Sequence, residues 1–205
     1  MPRYHSYDPA LGHGLPHDAF KAIVAPRPIG WISSVNADGR ANLAPYSFFN
    51  AFSSYPPIIG FCSEGAKHSV ANIRANGVFC YNLAGFGLLD AMNRTSAPDS
   101  EEVDEFEAAG LEKAMCEAVP VPRVALSPAS LECKVTEIHQ LRDVEGRRLE
   151  NYLVLGQVVR VHIDVAMLEN GKFEITRAET LARCGYRGDY VAVRETFETL
   201  RPTLK

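Results

Sequence analysis

Along the chain, apolar and polar residues alternate in two rhythms, interrupted by glycine and proline. Residues 29–35 form a short apolar run ending in Asn36-Ala37-Asp38-Gly39-Arg40, and a second run covers residues 41–47. An Asp-Gly pair between two such runs predicts a hairpin, because glycine reaches positive φ at little cost. After Pro56-Pro57, the run Ile58-Ile59-Gly60-Phe61-Cys62 is apolar on both sides and reads as a buried strand. In residues 67–76, Val70 and Ile73 stand three apart and Gly77 follows, which predicts a short helix with a glycine stop. Residues 78–83 read as another buried strand and residues 86–92 as another short helix. A further helix is predicted over residues 101–109, with Ser100 as its cap, Val103 and Phe106 on one face and Gly110 as its stop.

Residues 111–129, with Pro120, Pro122 and Pro128, read as a connection; no proline then occurs before Pro202. Leu131, Cys133 and Val135 alternate with Glu132, Lys134 and Thr136, the pattern of a half-buried strand with the second set facing water. The phase slips at Glu137-Ile138, which predicts a β-bulge. A charged loop over residues 142–151 leads into a long strand, residues 152–163. Its second half places Val159, Val161 and Ile163 inward and Arg160, His162 and Asp164 outward. About six strands with short helices between them lack the regular strand–helix repeat of a doubly wound sheet, so a closed or partly closed antiparallel barrel is expected. The polar stretch 1–26, with Gly12, Gly14 and Pro16, leads into the fold, residues 1–20 forming an N-terminal arm. The whole chain, residues 1–205, is expected to form one domain.

Composition narrows the function classes. A chain of 205 residues can bury about 70% of its unfolded surface, so it needs neither disulfides nor a structural metal to fold. The net charge is −4 and no basic stripe is visible, which argues against nucleic acid as a partner. Cys62, Cys80, Cys116, Cys133 and Cys184 are odd in number and lack paired short spacings, so they do not form a disulfide framework. The N-terminus lacks the apolar core of a signal peptide, and the longest apolar stretch, residues 152–159, is too short to span a bilayer. A soluble cytoplasmic protein with reduced thiols, away from membranes, is expected.

Several constellations reduce to structural roles. Six carboxylates between Asp99 and Glu107 read as a solvated helix face. His162 and Asp164 share a strand face but lack the third ligand that a zinc site requires, and no metal site is expected. Gly60-Phe61-Cys62-Ser63-Glu64 lacks the second glycine of a nucleophile elbow, leaving a Cys62 hydrolase as a remote option. Gly85-Phe86-Gly87-Leu88-Leu89-Asp90 lacks the third glycine of a dinucleotide fingerprint. Two features remain. Tyr46, Phe48, Phe49, Phe52 and Tyr55 are interleaved with Ser47, Asn50, Ser53 and Ser54, a mixture suited either to a flat heteroaromatic ligand or to a barrel core. Ser63, Lys67 and Ser69 flank a helix start, where free N–H groups either hold a phosphate or are simply capped. Together they suggest one ligand, a flat ring with a phosphate tail.

The run Arg27-Pro28-Ile29-Gly30-Trp31-Ile32-Ser33-Ser34-Val35, then Asp38-Gly39-Arg40-Ala41-Asn42-Leu43-Ala44-Pro45-Tyr46-Ser47, then Pro56-Pro57, resembles the flavin reductase-like FMN-binding split-barrel family. Flavoredoxins and the reductase components of two-component flavin monooxygenases belong to that family. Lys67-His68-Ser69-Val70-Ala71-Asn72-Ile73 matches its lysine-x-Ser/Thr stretch, with His68 where Asp is common. Phe106-Glu107-Ala108-Ala109-Gly110-Leu111, Leu131-Glu132-Cys133 and the late long strand extend the match over about residues 20–195. The resemblance implies a mainly β Greek-key split barrel with a few short peripheral helices, forming a homodimer with flavin near the subunit interface.

It further implies that Ala44, Pro45, Tyr46, Ser47, Phe48 and Phe49 lie along the flavin ring and ribityl chain. Ser63, Lys67 and Ser69 would hold the phosphate, with Cys62 and His68 adjacent; Arg183, Gly185 and Tyr186 match a C-terminal pattern of the family and would contact the flavin. The implied activity is hydride transfer from NADH or NADPH to FMN, with FAD as an alternative flavin, and needs no catalytic side chain because the cofactors carry the chemistry. A non-enzymatic flavin carrier or electron-transfer protein is the other reading. A flavin-dependent monooxygenase or an electron-transfer protein would be its partner.

Overall fold

Ser47 and Phe48 alone join two strands that lie at opposite edges of one sheet, and that short join dictates the architecture. The computed structural model describes residues 1–97 and 102–202. After α1 (Phe20–Ile23) come β1 (Arg27–Pro28), β2 (Gly30–Val35), β3 (Ala41–Tyr46), β4 (Phe49–Ser54) and β5 (Pro57–Glu64). Next are α2 (His68–Asn76), β6 (Val78–Asn82), α3 (Leu89–Arg94), α4 (Glu105–Ala108), β7 (Lys113–Met115) and β8 (Pro122–Val124). β9 (Ala129–Arg142), β10 (Arg148–Ile163), β11 (Leu168–Glu169), β12 (Lys172–Phe173), α5 (Ile175–Ala178), β13 (Leu181–Arg183) and β14 (Tyr190–Ala192) complete the chain.

The main sheet has the order β3-β2-β6-β9-β10-β5-β4, antiparallel throughout. Because two residues span its outermost strands, the sheet must curl until β3 and β4 meet. The Cys62 N–H donates to Phe48 O at 2.8 Å beside this seam. Among the described residues no ladder joins β3 to β4, so the barrel is split there. β6 returns through α2 to lie beside β2 rather than β5, the Greek-key step. A smaller sheet, β1-β13-β14, accompanies the barrel.

The hairpin expected over residues 29–47 forms as β2 and β3, with Gly39 at φ +80. β2 is buried on both faces: Ile32 joins one core group with Phe61, Phe79 and Val154, while Trp31 joins another with Leu43, Met92 and Phe106. The Trp31 indole N–H donates to Thr95 Oγ1 at 2.9 Å, so the polar atom of this buried ring is satisfied. α2 lays Val70 and Ile73 on the first group and ends at Gly77, whose φ of +69 lets its N–H reach Ile73 O. Gly156 carries no side chain because a Cβ there would stand 2.5 Å from the Phe79 ring.

Several expectations need correction. Residues 111–129 contain the β7–β8 hairpin; its second strand opens on Pro122, a strand position that tolerates proline. The predicted helix over 101–109 is the shorter α4, capped by Asp104, whose carboxylate accepts from Phe106 N at 3.0 Å; Ser100 lies outside the described residues. β10 begins at Arg148, so the charged loop is shorter than expected. The bulge stands near its predicted place: Leu155 pairs with Glu137 and Gly156 with Val135, leaving Thr136 extra.

The largest correction concerns the outer side of β9 and β10. Glu132, expected to face water, is wholly buried because residues 117–119 cover it with their N–H groups. His162, expected at the surface, bonds Glu132 Oε1 at 2.5 Å. Conversely, Val159, Val161 and Ile163, expected inside, are 38%, 51% and 39% exposed. β10 loses β5 beyond Gln157, so its last residues pair only with β9 and cover no core. Val159 is itself a second bulge, since Val158 pairs with Cys133 and Arg160 with Glu132.

Candidate functional site

A cleft of about 360 Å³ opens between β3 and the start of α2. Ala44, Pro45 and Tyr46 form one wall, Lys67, His68 and Ser69 the other. Asn42, Glu105 and residues 95–97 complete it. Lys67 is the N-cap of α2 in extended conformation (φ −65, ψ 176), and no side chain caps the helix. The first intrahelical bond runs from Ala71 N to Lys67 O, so the preceding N–H groups have no acceptor within the helix. Simple capping by serine is therefore not what Ser63 and Ser69 do. Ser63 Oγ donates to Gly65 O at 2.8 Å, and Ser69 Oγ accepts from Asn42 Nδ2 at 2.9 Å.

The floor is a polar network under an aromatic ring. Burial pushes the Tyr46 hydroxyl up from its ordinary pKa; hydrogen bonding with Ser69 and Ser63 partly offsets this, and the Glu105 charge adds to it. Tyr46 therefore stays protonated at neutral pH. Its ring lies 4.5 Å from that of Phe61, which anchors it to the barrel core. Glu105, only 6% exposed, accepts from Leu43 N at 3.0 Å, supplying an acceptor to an N–H of the edge strand β3. Burial pushes its carboxyl up, against the opposing pull of that N–H. Glu105 thus departs from the solvated helix face expected of the acidic run. Among the described residues, no carboxylate lies within ion-pair distance of Lys67.

Ser47 stands at the rim of two neighbouring hollows. One, about 610 Å³, shares Pro45 and Ser96 with the first cleft and is lined by Arg183 and Arg187. The other, about 620 Å³, holds Phe48, Phe49, Phe52 and Cys62 around Arg27. Phe49 stacks on Tyr81 at 4.7 Å, and the Arg27 guanidinium lies 6.0 Å from the Phe48 ring while donating to Val24 O. The Cys62 thiol is pushed up by burial and by Glu64, which keeps it from being the thiolate a cysteine hydrolase needs. Among the described residues, no group of His, Cys, Asp and Glu is placed to hold a metal ion, and no helix is long and apolar enough to cross a membrane.

Residues 24–177 match the model of the flavin reductase like domain. The chain belongs to that family. An uncharacterized protein of Deinococcus radiodurans is 32% identical to this flavin reductase-like chain over 206 residues, 95% of this chain and 88% of that protein. Nitrilotriacetate monooxygenase component B from Bacillus cereus superposes with a TM-score of 0.87 at 26% identity, covering 97% of this chain and all of the other. Flavoredoxin of Desulfovibrio vulgaris (Miyazaki F) shares the fold, with a TM-score of 0.77 at 20% identity over 90% of this chain and 97% of its own.

In this flavin reductase-like chain, the sequence-predicted residues divide. Ala44, Pro45, Tyr46, Lys67, His68 and Ser69 meet in one cleft, and Ser63 lies buried behind Tyr46. Phe48, Phe49 and Cys62 belong to the aromatic hollow, because the chain turns at Ser47 from β3 into β4. Asn42, Thr95, Ser96 and Glu105 escaped sequence reasoning as cleft residues. Asn42 sits inside the motif run, two residues before Ala44, and Thr95-Ser96 is a hydroxyl pair at a helix end; each is a signal that could have been followed.

Proposed function

We propose that the chain binds FMN and acts as an NAD(P)H-dependent flavin oxidoreductase. The observation that carries this is the start of α2, without a side-chain cap and flanked by Lys67, opening on a cleft floored by Tyr46. A dianionic phosphate suits N–H donors, the helix dipole and an ammonium, and the cleft lies in the size range of cofactor sites. A bound flavin would supply the redox chemistry, accepting hydride from a reduced nicotinamide. The protein's own residues bind and orient. Lys67, His68 and Ser69 take the phosphate. Asn42 holds Ser69 Oγ in place, and Ser63 supports Tyr46 from behind. Ala44, Pro45, Tyr46 and Ser47 line the path along which ring and ribityl chain would run, with Phe48, Phe49 and Cys62 beyond the seam. No side chain is required as acid or base.

Anaerobic mixing of the FMN-loaded protein with NADH and NADPH separately tests the reading. Bleaching of the flavin far faster than that of free FMN is expected with at least one donor. Bleaching no faster than free flavin would reject it in favour of an electron carrier reduced by another protein. The chain is further proposed to be a homodimer, since the exposed row Val159, Val161 and Ile163 on an unpaired strand edge suits burial against a second copy. A light-scattering mass of one 22.5 kDa chain for the flavin-loaded protein would refute that.

A further inference from the structure

The second hollow, about 610 Å³, is chemically unlike the flavin cleft that it joins at Pro45 and Ser96. Two guanidinium groups line it, Arg183 and Arg187, against a single carboxylate, Asp90. Arg183 ends β13 half-buried, its guanidinium 4.6 Å from the Tyr190 ring. Stacking holds the fork without using its donors.

Arg187 sits on a tight turn built to present it. Cys184 N donates to Asp189 O at 3.0 Å, Tyr186 N donates to Asp189 Oδ2 at 2.7 Å, and Gly188 takes φ +91. The carboxylate nearest in sequence, Asp189, is therefore occupied by the turn's backbone. Among the described residues no hydrogen bond or ion pair engages Arg187. Two arginines without a carboxylate partner on one hollow call for a ligand with more than one negative charge, and paired forks match the oxygens of a diphosphate. The flavin's single phosphate is proposed above at Lys67, across the shared wall.

We propose that this hollow receives the diphosphate of a nicotinamide dinucleotide, held by Arg187 and Arg183, so that the donor reaches the flavin cleft past Pro45. The identity of the donor rests on the reading under Proposed function; the diphosphate site does not. FAD carries a diphosphate too, and the experiment separates the two sources.

ADP-ribose, which has the diphosphate but no nicotinamide, is titrated calorimetrically into FMN-loaded protein. Arg187→Ala should weaken it about three- to tenfold, the scale of an accessible charged contact, and Arg187→Lys, which keeps the charge but loses the fork, should restore only part of the affinity. In steady state, Arg187→Ala should cost NADH more kcat/KM than it costs 1-benzyl-1,4-dihydronicotinamide, a donor without phosphate. Equal ADP-ribose affinity in the unaltered protein and in Arg187→Ala and Arg187→Glu would overturn the proposal. So would equal losses for the two donors, or an Arg187→Ala defect confined to FAD. Arg187-dependent ADP-ribose binding without any bleaching by NADH or NADPH would keep the diphosphate site and reject the hydride-transfer reading instead.

Discussion

Glu132 and Glu105 are both withdrawn from water, at 0% and 6% exposure, yet their carboxyls move in opposite directions. For each, burial is the largest influence and pushes the pKa up. At Glu132, burial is outweighed by the N–H groups of Glu117, Ala118 and Val119 at 2.6–2.9 Å and by His162. At Glu105, the N–H of Leu43 and a nearby His68 do not suffice, and Asp104 adds repulsion. Donors aimed at the charged form outweigh burial at Glu132 and fall short of it at Glu105. The roles follow. Glu132 is a strut that ties residues 117–119 to the barrel, whereas Glu105 is an under-satisfied acid on the rim of the cleft proposed above to take a phosphate.

The largest expected effect breaks the strut. Glu132→Ala leaves three backbone N–H groups and His162 without their acceptor, and should cost about 3–5 kcal/mol in urea unfolding at neutral pH. Because the folded pKa of Glu132 lies below the ordinary value, its contribution is complete above about pH 4.3 and is lost as pH falls through the lower folded value. The gap between the variant and the unaltered protein should accordingly narrow in acid. A loss under about 1 kcal/mol at neutral pH would show that residues 117–119 find other acceptors, and the comparison would fail on its stronger side.

This pair also shows where sequence reasoning stops. The hairpin at Asp38-Gly39, the glycine stop of α2 and the bulge beside Glu137 were legible because each is encoded within a few residues. The place of Lys67 and Ser69 was legible for the same reason, standing between a strand and the helix it precedes. Glu132 was not: alternation along β9 reports which face a side chain takes, not that a loop some fifteen residues upstream covers that face. Val161 and Ile163 failed in the mirror sense, since their pattern cannot reveal that β5 begins only opposite Gln157 and leaves the rest of β10 unpaired on that side. Glu105 was hidden in a charge run whose bulk composition suited a solvated helix. Phe48, Phe49 and Cys62 are placed beside the flavin by the resemblance alone; in the fold they line the neighbouring hollow, because Ser47 turns the chain from β3 into β4. The arginine-lined hollow brings together residues from β13, a turn and α3, which no local pattern joins.

Next in size is the opposite charge in the same cleft as Glu105. Lys67→Ala removes the charged partner proposed for the phosphate, worth about 1.5–3 kcal/mol, so FMN binding should weaken by roughly 10- to 150-fold. Ser69→Ala should cost less, since a hydroxyl contributes no charge. Riboflavin, which has the ring and ribityl chain but no phosphate, should bind both variants nearly as well as the unaltered protein. Equal weakening of riboflavin and FMN would place the effect in folding or ring contact and remove the phosphate from Lys67.

The smallest effect sharpens the comparison on its weaker side. Glu105→Gln keeps an oxygen for the Leu43 N–H while removing a charge that burial disfavours and that faces the same cleft as Lys67. The folded pKa of Glu105 is raised, so its contribution to stability is fully present below about pH 4.3 and is lost as pH rises through the raised folded value. The glutamine variant has no such loss, and its advantage over the unaltered protein should grow from acid to neutral pH, the reverse of the Glu132→Ala gap. One fewer negative charge beside a phosphate should also tighten FMN about two- to fivefold, with riboflavin nearly unaffected. A glutamine variant that is less stable than the unaltered protein at neutral pH would mean that the Glu105 carboxylate is as well satisfied as that of Glu132. The donor count would then no longer separate the two acids.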